Sequence, residues 1–133
     1  VYSSSIAYSI KFTMGGSASR LDPARMAAVK SFVDTLLANH KVVVFSKSWC
    51  PYCSKAKSAL ASQNLAPEAL KWVEIDGNPD EEHIQDYLKE LTGARSVPRV
   101  FIAAKFFGGG DDTAAGAKNG KLTAALKAAG AIA

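Results

Sequence analysis

The sequence predicts an α/β domain with a four-stranded mixed sheet flanked by helices on both faces. Three observations predict it. The run Val42-Val43-Val44-Phe45-Ser46 is apolar and β-branched, the pattern of a buried strand. Stretches of helical period, Met26 to Leu37 and Ile84 to Leu91, alternate with strand-like runs. Near the end, Val100-Phe101-Ile102 and Lys105-Phe106-Phe107 read as the two arms of a hairpin. A strand–helix–strand opening requires a right-handed parallel crossover, and a closing hairpin adds antiparallel strands to the same sheet.

The elements follow in order. Asp22-Pro23 reads as an N-cap and a first-turn proline, and Met26, Val29, Val33, Leu36 and Leu37 carry an amphipathic helix to about Asn39. The first strand is expected from Lys41 to Ser46, and the next helix from Pro51 to Gln63, ended by Asn64 and Pro67. Lys71-Trp72-Val73-Glu74-Ile75 is the second strand. Asn78-Pro79-Asp80-Glu81 reads as a cap, a first-turn proline, early acids for the dipole and a capping-box Glu81. Ile84, Tyr87, Leu88 and Leu91 give that helix its buried face, and Gly93 stops it.

The hairpin strands are separated by Ala103-Ala104. A two-residue primed turn needs left-handed backbone at both positions, which alanine resists, so a different turn is expected. Gly108-Gly109-Gly110 breaks the chain and Asp111-Asp112 caps a short helix. Leu122, Ala125, Leu126 and Ala129 mark a final helix. This order is the thioredoxin-fold plan.

At 133 residues, with 48% apolar and 21% charged residues, the chain is long enough for one domain with a proper core. That domain is expected over residues 22–133, with residues 1–21 a flexible tail or leader remnant. The tail is rich in serine and has no acidic residue before Asp22, as an organelle transit peptide would be. A vector-encoded leader ahead of a natural start at Met14 is the other reading, and Met14 to Ser19 then fits a loose N-myristoylation pattern. The location expected is cytoplasmic, or a plastid or other organelle if the tail is a transit remnant.

The formal net charge of +4 is mild, and no Lys/Arg run or aromatic–basic interleaving suggests nucleic acid. No apolar stretch reaches the ~18 residues that a membrane span needs. A monomer is expected.

The chemistry concentrates in Cys50-Pro51-Tyr52-Cys53, at a strand-to-helix turn. Cys50 falls at the helix N-cap and Pro51 at the first helical position, where its missing N–H has no partner to lose. A thiol there faces unpaired N–H groups and the positive end of the macrodipole, both of which stabilise its thiolate. Lys47, Lys55 and Lys57 are the only charged residues between Lys41 and Leu60. Cys50 is therefore the expected nucleophile, and Cys53, one turn into the helix, the resolving thiol. A structural zinc would need four suitably spaced ligands, and there is no third cysteine, only His40 and His83. A purely structural disulfide would close too short a loop to stabilise much. A C-x-x-C beside a strand–helix–strand pattern reads instead as thiol redox chemistry.

Three segments together, Cys50-Pro51-Tyr52-Cys53, Thr92 to Ile102 and Gly108 to Asp112, resemble the signature segments of dithiol glutaredoxins, and the resemblance spans roughly Pro23 to Ala129. It implies a thioredoxin-like fold and glutathione-dependent reduction of mixed disulfides and protein disulfides. No cofactor is then bound, glutathione being a co-substrate, and the other partners are glutathionylated or disulfide-containing proteins.

By the resemblance, Cys50 attacks the protein-side sulfur of a mixed disulfide and becomes glutathionylated, while Cys53 serves the dithiol route. The resemblance places Val97-Pro98 as a cis-proline element whose Val97 backbone pairs with extended glutathione. It assigns Lys47 and Gln85 to the glycyl carboxylate, the Gly110 and Asp111 N–H groups to the γ-glutamyl carboxylate, and the Asp112 carboxylate to the ammonium. Tyr52 would be a wall of the groove. Arg99 reads as a solvated strand-end residue. The alternative function is a dimeric iron–sulfur carrier ligated by Cys50 and glutathione, although such members of the family tend to lack the proline at Pro51. Many relatives also carry a cysteine where Gly110 stands.

Overall fold

In the computed structural model, which describes residues 22–132, the run Val42–Ser46 forms strand β1, buried at every position. It pairs in parallel with β2 (Leu70–Glu74) and antiparallel with β3 (Arg99–Ile102), which pairs antiparallel with β4 (Lys105–Gly108). The strand order is β2-β1-β3-β4, a four-stranded mixed sheet as expected. The helices are α1 (Pro23–Asn39), α2 (Pro51–Ala61), α3 (Glu81–Thr92), α4 (Gly110–Asn119) and α5 (Lys121–Ala128).

Alternation along β1 divides the core. Val42 and Val44 face a cluster with Ala56 and Leu60 of α2, Val100, Ile102, and Leu122 and Leu126 of α5. Val43 and Phe45 face the opposite cluster, with Val29 and Val33 of α1, Ile84, Tyr87 and Leu88 of α3, Ile75 and Phe101. Both faces of the central strand are dry, which explains why its sequence is continuously apolar rather than alternating. Tyr87 ties the α1–α3 layer by donating its hydroxyl to Asp34 Oδ1 at 2.6 Å.

Three expectations differ from the structure. Helix α3 starts at Glu81, and the Asp80 side chain makes no capping bond. The Asn78 side-chain oxygen is spent on Asp80 N–H at 2.7 Å, and its carbonyl accepts from Glu81 N–H, so Pro79 lies in a turn ahead of the helix. Leu91, on the last turn, is 40% exposed rather than core. The hairpin does close through a two-residue primed turn: Ala103 and Ala104 have φ of 54° and 66°. Cross-strand pairing of Ile102 with Lys105 leaves only those two residues to reverse the chain, and the pairing overrides alanine's preference.

Candidate active site

The site forms where β1 ends, around the N-termini of α2 and α4 and the turn ahead of β3. Cys50 is the N-cap of α2 in extended conformation, followed by Pro51, so its sulfur takes the place that a serine oxygen usually fills. The Cys53 N–H points to Cys50 Sγ at 3.3 Å, a backbone donor aimed at the sulfur. The same sulfur lies 3.7 Å from the Val97 carbonyl oxygen, and the Val97–Pro98 peptide bond is cis.

Both thiols are free, with Cys50 8% and Cys53 3% exposed. Burial pushes the Cys53 thiol up from its ordinary pKa, and its contact with Cys50 adds to this, so Cys53 keeps its proton. A recess of about 60 Å³ beside the thiols is lined by Ser46, Lys47, Cys50, Cys53, Trp72 and Glu74. Adjacent in sequence to the cysteines, Tyr52 and Trp49 are 53% and 69% exposed.

The remaining candidates divide into two groups. On one side Gly110 packs so closely on Tyr52 that an added Cβ would lie 2.5 Å from the Tyr52 carbonyl oxygen. Lys55 spans the same junction, with Nζ 2.7 Å from Asp111 Oδ1 and 5.3 Å from the Tyr52 ring centroid. Gly110 and Asp111 occupy the first turn of α4, where backbone N–H groups have no intrahelical acceptor. Asp112 turns back, and its Oδ2 accepts from Gly109 N–H at 3.3 Å.

On the other side Lys47 and Gln85 are already engaged. Lys47 Nζ pairs with Glu81 Oε2 at 2.8 Å, and the buried Gln85 donates through Nε2 to the Arg95 carbonyl at 2.8 Å. The structure thus joins Cys50, Cys53 and Val97-Pro98 directly, joins Tyr52 to Gly110, and ties Lys47 and Gln85 to partners within the chain.

Sequence reasoning missed several contacts that position these groups. Asp76 accepts from the Ser48 hydroxyl and from Ser48 N–H, fixing the loop before Cys50, and these bonds hold its carboxyl below the usual range. Arg99 is half-buried, not solvated. Its Nε donates to the Ser96 carbonyl at 2.7 Å, Nη2 to Ser96 Oγ at 3.0 Å, and Nη1 to Thr92 Oγ1 at 3.3 Å, so it staples the turn that carries Val97. Burial lowers its pKa, an effect countered by the nearby Asp112 charge. Glu81, read as a helix cap, is instead the partner of Lys47. The Asp76 and Glu81 contacts gave no sequence signal because each joins segments that become neighbours only in the fold, whereas Arg99 reaches back to Ser96 and Thr92 through the shape of a local turn.

Among the described residues no group of three or more His, Cys, Asp or Glu side chains is placed to hold a metal ion. Among them, too, no helix is long and apolar enough to cross a membrane. What the arrangement offers is a shielded sulfur at a helix start, a second thiol one turn away, and backbone and charged groups around them.

Comparison with known proteins agrees with that chemistry. The glutaredoxin family model matches residues 42–107. Glutaredoxin-1 of Rattus norvegicus is 44% identical over 103 residues, which are 77% of this chain and 96% of the rat protein. Among solved structures, oxidised glutaredoxin 2 of Chlamydomonas reinhardtii is 48% identical with a TM-score of 0.75, the match covering 80% of this chain and 98% of that one. The buckwheat glutaredoxin–glutathione complex is 33% identical with a TM-score of 0.75, covering 84% and 98%.

Proposed function

The chain belongs to the glutaredoxin family and is a glutathione-dependent thiol–disulfide oxidoreductase, and we propose that Cys50 is its nucleophile and Cys53 its resolving thiol. The observation that carries this division is the position of Cys50 Sγ, which accepts the Cys53 N–H at a helix start and lies 3.7 Å from the Val97 carbonyl oxygen beside a cis proline.

In the monothiol route the Cys50 thiolate attacks the glutathione-side sulfur of a mixed disulfide. This corrects the protein-side attack expected above, because attack there would expel glutathione and leave the substrate protein attached to Cys50. The substrate leaves as a thiolate that takes up a proton, and Cys50 carries glutathione. A second glutathione thiolate attacks the bound glutathione sulfur, giving glutathione disulfide and restoring Cys50 as thiolate. In the dithiol route Cys50 attacks a protein disulfide. Cys53 gives up its proton and attacks the Cys50 sulfur, the reduced protein leaves, and two glutathiones reopen the Cys50–Cys53 disulfide. A Cys53 thiol whose pKa is pushed up suits this order, since it stays protonated until the mixed disulfide is in place.

Glutathione lies along Val97 as an added strand, its backbone pairing with the Val97 N–H and C=O. The Gly110 and Asp111 N–H groups take the γ-glutamyl carboxylate at the positive end of α4, and Asp112 takes the ammonium. Lys47 and Gln85 take the glycyl carboxylate, Pro98 shapes the floor beside the thiols, and the exposed Tyr52 ring is a wall of the groove. The partners are glutathionylated and disulfide-containing proteins. The enzyme works as a monomer, off membranes and nucleic acid, in a compartment with a reducing glutathione pool such as the cytoplasm, with residues 22–133 as its working domain.

The test separates the two routes. Cys50→Ser is expected to abolish reduction of both a glutathionylated peptide and a protein disulfide. Cys53→Ser is expected to keep the first activity and lose the second. Loss of deglutathionylation in Cys53→Ser would overturn the assignment.

A further inference from the structure

We infer that Glu81 is an internal competitor for the glutathione carboxylate: in the resting protein it holds the ammonium group that the glycyl end of the tripeptide needs. The inference rests on the assignment of Lys47 to that carboxylate. Glu81 is the first residue of α3, and Gln85 follows four residues later, so the two side chains leave one helix face a turn apart. Lys47 Nζ lies 2.8 Å from Glu81 Oε2, and the two side chains are only 15% and 29% exposed. The Trp49 ring centroid lies 5.8 Å from the same ammonium. Gln85 is committed too, through its 2.8 Å bond to the Arg95 carbonyl.

At this end of the groove one donor of each residue is therefore already taken from within the chain. A carboxylate arriving there exchanges places with Glu81 and adds no new ion pair. Two consequences follow from exchange. The hold on the glycyl carboxylate is weakened by whatever the Lys47–Glu81 pair is worth. Selectivity for a charged glycyl end over a neutral one is also blunted, because a neutral ligand leaves the internal pair in place while a charged one must expel Glu81 into water. At the opposite end of the groove Lys55 binds the Asp111 side chain, and the Asp112 carboxylate accepts from the Gly109 N–H.

The experiment measures KM and kcat for a glutathionylated peptide and for the same peptide whose glutathione bears a glycyl amide. The proteins are the parent chain, Glu81→Gln, Glu81→Ala, Lys47→Gln and the Lys47→Gln/Glu81→Gln double variant. Both Glu81 variants are expected to lower KM for the free-acid substrate by roughly three- to tenfold and to leave KM for the amide unchanged. Lys47→Gln is expected to raise KM for the acid and erase the difference between the two substrates, and the double variant to behave like Lys47→Gln alone. Glu81 variants with unchanged or higher KM for the acid, while Lys47→Gln still erases the difference, would overturn the competition and leave the role of Lys47 standing. A Lys47→Gln protein that still prefers the acid would overturn the role of Lys47, and the competition with it.

Discussion

Two identical side chains three positions apart, both buried, receive different surroundings. Cys50 stands at a helix start with a backbone N–H aimed at its sulfur, while Cys53 is enclosed and its thiol is pushed up by burial. Position on the helix, not residue type, sets those surroundings. Tyr87 shows the same dependence and yields a pH prediction. Burial first, then the hydrogen bond and charge of Asp34 and the charge of Glu90, push its phenol from 10.0 up to about 12. The native state then holds this proton more tightly than the unfolded chain. Its stabilising effect is whole below pH 10.0 and is lost as pH rises towards about 12. Urea midpoints recorded across that window should fall, and in Tyr87→Phe this part of the decline should flatten. At neutral pH the same variant should lose about 0.5–1.5 kcal/mol, the usual worth of one hydrogen bond.

At the scale of elements, the hairpin turn offers the cleanest test. Ala103 and Ala104 both hold left-handed backbone, with φ of 54° and 66°, where an L-residue is disfavoured by roughly 1–2 kcal/mol. The double substitution Ala103→Asn/Ala104→Gly supplies the residue types that such a turn prefers. It should raise the urea midpoint by the equivalent of about 1–2 kcal/mol with the slope unchanged. A lower midpoint would show that the turn is not the primed one. Strands and helices were legible in the sequence because apolar period and proline position report them locally, as with β1 and the Asp22-Pro23 start of α1. The start of α3 was not, because Asn78 is as good a turn former as a cap and only its hydrogen bond to Asp80 decides between them. The hairpin was misjudged for the opposite reason: local preference favoured another turn, and cross-strand pairing prevailed.

At the scale of the molecule, the two core clusters place α2, α4 and α5 on one side of the sheet and α1 and α3 on the other. The N-termini of α2 and α4 meet at Gly110, where an added Cβ would be 2.5 Å from the Tyr52 carbonyl oxygen and 3.0 Å from Tyr52 Cβ. Gly110→Ala should therefore force the two helix starts apart. It should destabilise by about 1–3 kcal/mol in urea and also raise KM for a glutathionylated peptide, since the γ-glutamyl end is assigned to that junction. Equal stability and equal KM would mean that the junction has slack. This close approach was invisible in the sequence, where the departure from a cysteine common in relatives could be noted but not explained. The C-x-x-C motif was legible because its parts are contiguous; Glu81 and Asp76 were not, because their partners come from distant segments, and Arg99 was not, because its bonds to Ser96 depend on the shape of the turn between them. Finally, of the residues assigned to catalysis and glutathione, Val97 packs against a core cluster, and Cys50, Cys53 and Gln85 are themselves buried. Reactivity and foldedness thus share letters, so drift in substrate preference is open to this scaffold mainly along its exposed rim, at positions such as Tyr52 and Trp49.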